Sequence, residues 1–132
     1  MEHKLHKGMK AMVEKRVTEE DTALSFGSGG VKVFATPMMV GIMENAALKA
    51  VDDHLPGGYA TVGTHLDIKH MAATPVGMSV RAEAELIEVE GKRLKFRVVA
   101  YDELEAIGEG FHSRAIINLD QFLNSVDKKC KK

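Results

Sequence analysis

A hydroxyl, a carboxyl and an imidazole stand out in this chain for where they fall: Thr36, Glu44 and His70. Acyl transfer needs a nucleophile or a positioned water, a proton carrier, and donors aimed at the oxyanion that develops on the carbonyl. An imidazole with an ordinary pKa of about 6.5 can shuttle a proton at neutral pH. A carboxylate can activate water, attack a carbonyl or orient the imidazole. Backbone N–H groups left free at a helix start, or at Gly63 where a strand lacks a side chain, can hold an oxyanion. Each residue also has a plain structural reading: Thr36 as a helix cap, His70 as a strand-edge residue, Glu44 as one half of an ion pair with Arg114, Lys69 or Arg81.

Glu44 carries the strongest signal because of the helix that must hold it. Thr36 suits the N-cap and Pro37 the first helical position, and the helix is expected to run to about His54. With a 3.6-residue period, Met39, Val40, Met43, Ala46, Ala47, Ala50 and Val51 fall on one broad apolar arc. Glu44 interrupts that arc, so it is expected out of bulk water. A buried, unpaired carboxylate is costly, which implies hydrogen-bond partners, a raised pKa, or both.

The other elements follow from alternation. A first strand is expected about Met9 to Val17. From Thr18 to Lys32 the pattern gives way to acidic residues and Gly27-Ser28-Gly29-Gly30, read as a mobile connection that either serves as a lid over the helix start or simply links. After Pro56-Gly57-Gly58 a long strand begins at Tyr59; Val62, Thr64, Leu66, Ile68 and His70 share its inward parity, whereas His65 falls on the wet one. Met78 to Glu88 and Lys92 to Tyr101 pair as a hairpin, with Val80, Ala82, Ala84, Leu86 and Leu94, Phe96, Val98, Ala100 facing the core. A last strand covers about Ala106 to Leu119, on which His112 and Arg114 share a parity with Gly110 and Ile116 and so can reach the inner face. A short helix follows at about Asp120 to Val126. The fold class expected is α+β: a curved antiparallel sheet wrapped around one long central helix, the hotdog arrangement, paired edge to edge as a dimer. A plain two-layer sandwich is the alternative.

With 132 residues, 45% hydrophobic and 28% charged, the chain fits one domain over residues 1–132, with 1–8 and 127–132 expected to fray. A net charge of -1 with interspersed signs leaves no electrostatic footprint for nucleic acid or an anionic membrane. One cysteine, Cys130, offers neither an internal disulfide nor a zinc site, which suits the cytosol. No metal site, signal peptide or membrane span is expected, and the glycine-rich loop has no phosphate-binding fingerprint.

Taken together, several motifs resemble the fluoroacetyl-CoA thioesterase-like branch of the hotdog thioesterases. They are Val33-Phe34-Ala35-Thr36, Met39-Val40-Gly41-Ile42-Met43-Glu44, Gly63-Thr64 and His70-Met71-Ala72-Ala73-Thr74-Pro75, then Val89-Glu90-Gly91 with Arg93-Leu94, and Ile107-Gly108 with Gly110, His112 and Arg114-Ala115. The resemblance covers Val33 to Asn118. It implies a catalytic set of Thr36, Glu44 and His70 near the subunit interface of a homodimer, with Gly63 contacting the thioester oxygen and Arg114 near the acyl group. The implied reaction is hydrolysis of a small or medium acyl-CoA to free acid and CoA. No cofactor is implied, coenzyme A being part of the substrate. Where the family carries a longer aromatic and proline-rich lid, this chain has Leu24-Ser25-Phe26-Gly27-Ser28-Gly29-Gly30, so the reaction carries over and the fluorinated acyl group does not. The competing readings are a hotdog dehydratase or hydratase, disfavoured by the lack of a His-Phe-Pro segment, and a non-catalytic acyl-CoA-binding protein.

Overall fold

A computed structural model describes residues 1–130; Lys131 and Lys132, part of the end expected to fray, lie outside the described residues. The chain forms β1 (Lys10–Arg16), a 3-10 turn at Glu19–Asp21, α1 (Ala23–Phe26), α2 (Thr36–Val51) continued by a 3-10 turn at Asp52–His54, β2 (Tyr59–His70), β3 (Ser79–Glu90), β4 (Arg93–Tyr101), β5 (Ala106–Asn118) and α3 (Leu119–Asp127). The five strands make one sheet in the order β1-β3-β4-β5-β2, with every neighbouring pair antiparallel. No described helix is long and apolar enough to cross a membrane.

The core is where the two periodicities meet. The expected inward residues of β3 and β4, from Val80 to Leu86 and from Leu94 to Ala100, are buried, as are Met39, Met43, Ala46, Ala47, Ala50 and Val51 of α2. Alanines on both surfaces let helix and sheet approach closely, while Phe96, Leu86 and the methionines supply the burial, each worth about 1.5–3 kcal/mol over exposure. α2 lies chiefly against β1 and β3, and it has far less contact with β2 and β5. Its looser flank, the one carrying Glu44, faces those two strands.

β2 is an edge strand, and its centre departs from the simple alternation. The register with β5 shifts between Gly63 and His65. Thr64 and Leu66, expected inside, are exposed, Leu66 by 44%. The bulge re-aims the strand between Gly63 and His65.

The connection before α2 also differs from expectation, since its acidic residues build structure. Asp21 is 3% exposed and accepts hydrogen bonds from Lys15 Nζ at 2.6 Å and from the Thr18 N–H and hydroxyl, both at 2.8 Å. Burial alone would raise its pKa; the hydrogen bonds from Lys15 and Thr18 outweigh that and hold it below the usual 3.8. Ala35 N–H donates to Asp21 O at 2.8 Å, so the turn is fastened to the start of α2. The N-terminal residues, expected to fray, also dock: Leu5 is 7% exposed and Gly8 N–H donates to Leu86 O at 2.9 Å.

A second buried carboxylate pins the loop after His70. Asp102 accepts from the Thr74 hydroxyl at 2.9 Å and from the N–H groups of Leu104 and Glu105 at 2.8 and 3.0 Å, while Thr74 O accepts from Phe34 N–H. Burial pushes the Asp102 pKa up, but those three hydrogen bonds bring it below 3.8. A depressed carboxylate contributes its stability above the unfolded pKa and loses it as pH falls through the native value. Urea midpoints should therefore decline once pH drops below 3.8. Asp102→Asn should cost about 1.5–3 kcal/mol at neutral pH and flatten part of that acid decline. Parallel acid limbs for the two proteins would show that Asp102 is not the group responsible.

Candidate active site

Thr36 is the first residue of α2 and not its cap; that position belongs to Ala35, which offers no side-chain hydrogen bond. The Thr36 hydroxyl, expected to cap the helix, instead lies 2.6 Å from His70 Nδ1. Pro37 occupies the second helical position, where its missing N–H leaves no donor stranded. His70, at the end of β2, has its Nε2 buried without a partner among the described residues. Burial holds the His70 pKa below the usual 6.5, with a backbone hydrogen bond at Ala72 offsetting this only in part. The ring is therefore neutral at neutral pH and free to take up a proton. Both residues border a cleft of about 330 Å³ whose walls include Ala23, Val33, Phe34 and Met71.

Glu44 lies elsewhere. It is half-buried, less sequestered than its helical projection suggests, and among the described residues it has no basic partner within 4.0 Å. Its surroundings converge on Gly63. A Cβ there would sit 3.1 Å from Glu44 Oε2, 3.1 Å from His112 Cε1 and 3.6 Å from Arg114 Nη1. The missing side chain is thus the space three functional groups share, which is a close-approach use of glycine. Arg114, 6% exposed, donates from Nε to the Thr61 hydroxyl at 2.8 Å and from Nη2 to Thr61 O at 2.9 Å. The ion pair considered between Glu44 and Arg114 does not form, nor do those with Lys69 or Arg81.

The five candidates therefore fall into two groups: Thr36 with His70, and Glu44 with Gly63 and Arg114. Within one chain the groups are far apart. Gly63 and His70 are seven positions apart on β2, roughly 20 Å at strand rise, and Thr36 and Glu44 are eight apart on α2, about 12 Å along its axis. Along one chain this spacing keeps the carboxylate away from the imidazole. Sequence reading also passed over His112 as a site residue, although its parity with Arg114 pointed inward; it is completely buried. Asp52 and Thr61, which support Arg114, carried no signal beyond their positions near a helix end and a strand start. A larger depression, about 530 Å³, lies on the wet outer face of β1, β3 and β4, among Lys10, Met12, Glu83 and Arg97, away from both groups.

Comparison with known proteins bears on this geometry. Residues 17–120 match the family described as fluoroacetyl-CoA-specific thioesterase. The chain is 46% identical over 98 residues to the fluoroacetyl-CoA thioesterase of Streptantibioticus cattleyicolor, a match covering 74% of this chain and 70% of the relative. The structure is similar to a solved structure of the fluoroacetyl-CoA thioesterase FlK, with TM-score 0.89, 36% identity, and 96% and 98% of the two chains covered. It shares its fold with a hot-dog-like protein from Thermanaerovibrio acidaminovorans at TM-score 0.85 and 22% identity, covering 93% and 91%. The expected hotdog architecture, a five-stranded antiparallel sheet around one long helix, is therefore present.

Proposed function

Because the chain belongs to the fluoroacetyl-CoA-specific thioesterase family, and is accordingly an acyl-CoA thioester hydrolase, we propose that it cleaves a small or medium acyl-CoA through Thr36, Glu44 and His70 brought together by two copies of the chain. The observation that carries this reading is that two incomplete groups lie at opposite ends of an uncovered edge. Among the described residues β2 has a neighbour on one side only, and Gly63 to Asp67 are exposed at both parities. An open edge of that kind is a template for another strand. Antiparallel pairing of β2 with its copy, about a two-fold axis between Leu66 and Asp67, sets Gly63 of one copy opposite His70 of the other, since 63 and 70 sum to the same value as 66 and 67. Each completed site then takes Thr36 and His70 from one subunit and Glu44, Gly63 and Arg114 from its partner.

In that site Glu44 either attacks the thioester carbonyl, giving a mixed anhydride that water then hydrolyses, or orients the water that attacks the carbonyl directly. Neutral His70 accepts the proton of the attacking water and returns it to the departing CoA thiolate, while Thr36 holds the ring. The Gly63 N–H binds the oxyanion, and Arg114 lies beside the acyl group. Thiolate leaves readily, so the scheme calls on no metal or cofactor. A cytosolic setting fits the lone Cys130. The short α1 and its following glycines, in place of an aromatic lid, favour acyl groups chosen by size and not by a fluorine.

A panel of acyl-CoAs incubated with the protein and a thiol-reactive dye tests the reaction directly. Free CoA should accumulate with short and medium acyl groups. Binding without CoA release would point to a carrier, and hydration or dehydration of the acyl chain with the thioester intact would point to the lyase reading; either result overturns the hydrolase.

A further inference from the structure

Arg114 is a buried cation whose direct partners are all neutral. Nε and Nη2 bind the hydroxyl and carbonyl of Thr61, and Nη1 lies 3.1 Å from His112 Nε2. Two carboxylates offset it without direct contact: Glu44, across the Gly63 space, and Asp52, whose Oδ1 accepts from the Thr61 hydroxyl at 2.5 Å and whose Oδ2 accepts from Thr61 N–H at 3.2 Å. Isolated charge is expensive in a protein interior, so such a network persists only when each donor and acceptor is matched.

Here the matching has only one solution. His65 O can only accept, so the 2.9 Å contact with His112 Nδ1 requires the ring proton on Nδ1. A guanidinium can only donate, so Nε2 must be the acceptor for Nη1. His112 is thereby confined to its neutral Nδ1–H form, packed at 0% exposure against Phe96 with ring centroids 6.4 Å apart. The ionisable groups around it are Arg114 on β5, His65 on β2, and Glu44 and Asp52 on α2 and its extension. Arg114 spends one Nη1 N–H on His112 and keeps the second uncommitted, with Nη1 3.6 Å from the point a Gly63 side chain would fill.

We propose that His112 is a positioning residue for thioester hydrolysis: clamped between His65 O and Arg114 Nη1, it fixes the guanidinium at the open face of Gly63, where its remaining N–H meets the acyl thioester. The role rests on the thioesterase site described above. Asp52 and Thr61 form the opposite anchor, so the guanidinium is held from both ends and turns toward neither helix nor solvent. Burial, reinforced by the neighbouring Arg114, holds the His112 pKa below the usual 6.5, consistent with a ring that stays neutral while the enzyme works.

Three variants of the full chain and one spectrum test the clamp. His112→Leu keeps the bulk and removes the acceptor. With the best-hydrolysed acyl-CoA it should lose about 10²-fold in kcat, the scale of an ångström of misplacement, with KM changed far less. His112→Gln, which returns an acceptor oxygen near the Nε2 position, should recover most of that loss. Asp52→Asn, at the half-buried outer anchor, should lose kcat in the same direction by a smaller factor. In the unaltered protein, the nitrogen resonances of His112 should show a protonated Nδ1 and a bare Nε2 down to below pH 6.5. Unchanged kcat in His112→Leu, equal failure of the Leu and Gln variants, or a ring carrying its proton on Nε2 would overturn the proposal. Should His112→Leu not fold, the Gln and Asp52→Asn variants and the spectrum decide. If the unaltered protein releases CoA from no ester, the proposed function fails, whereas the His112 resonances still confirm or refute the clamp on their own.

Discussion

Glu44→Ala and His70→Ala should each reduce CoA release by about 10²- to 10⁴-fold, the range that a positioned acid or base supplies, while leaving a folded protein. Among the described residues, the first removes a half-buried carboxylate with no ion pair to lose, and the second a ring whose one side-chain partner is Thr36. Neither takes a large side chain out of the main core. Refolding the two inactive variants together should then restore activity. If each site draws Glu44 from one copy and His70 from the other, a mixed dimer holds one site with both groups intact and one with both missing. Random mixing makes half the dimers mixed, so recovery should reach about a quarter of the unaltered rate. No recovery on mixing would mean that the carboxylate and the ring act within a single chain, against their separation along β2 and α2. Full activity in either variant alone would remove that residue from the mechanism altogether.

The largest effect on stability is expected from Gly110→Ala. Gly110 pairs with Ile68 across β2 and β5, and a Cβ there would lie 2.0 Å from Asp67 O and 2.9 Å from both Asp67 C and Ile68 Cα. All three are backbone atoms, so no rotamer change relieves the overlap, and one strand must move from the other. Overpacking of this kind costs about 3 kcal/mol, a large part of the roughly 5–15 kcal/mol that holds a domain folded. Ile68 is two residues from His70, so activity should fall in the molecules that do fold. Gly57→Ala is the control: a Cβ there meets nothing within 4 Å, and the midpoint should stay within about 0.5 kcal/mol. Equal melting of the two variants would mean that β2 and β5 are not this close at Gly110.

Much of this molecule is legible in local periodicity. The extent of α2 with its 3-10 continuation, the β3–β4 hairpin with its buried parity, the last strand and the terminal helix all follow from spacings of two and of 3.6 residues. Composition alone could not reveal that Asp21 and Asp102 are buried caps for turns, because an acidic residue in a loop reads the same whether it meets water or three N–H and hydroxyl donors. The bulge at Thr64 is marked in the sequence only by Gly63 beside it, a mid-strand glycine that signals either a bulge or a close backbone approach, since a register shift leaves no other trace in hydrophobic alternation.

By itself, then, the sequence determined which elements form, which of their faces are apolar, and which side chains of chemical interest lie on or beside those faces. Those are properties of neighbours a few residues apart. Only the tertiary structure decided which groups meet. Placing β2 at the sheet edge beside β5, and running α2 antiparallel to it, puts Thr36 against His70 and gathers Glu44, Gly63, His112 and Arg114 at the other end. Strand order and direction set contacts across dozens of intervening residues, and an amphipathic pattern is the same whichever strand lies next to it.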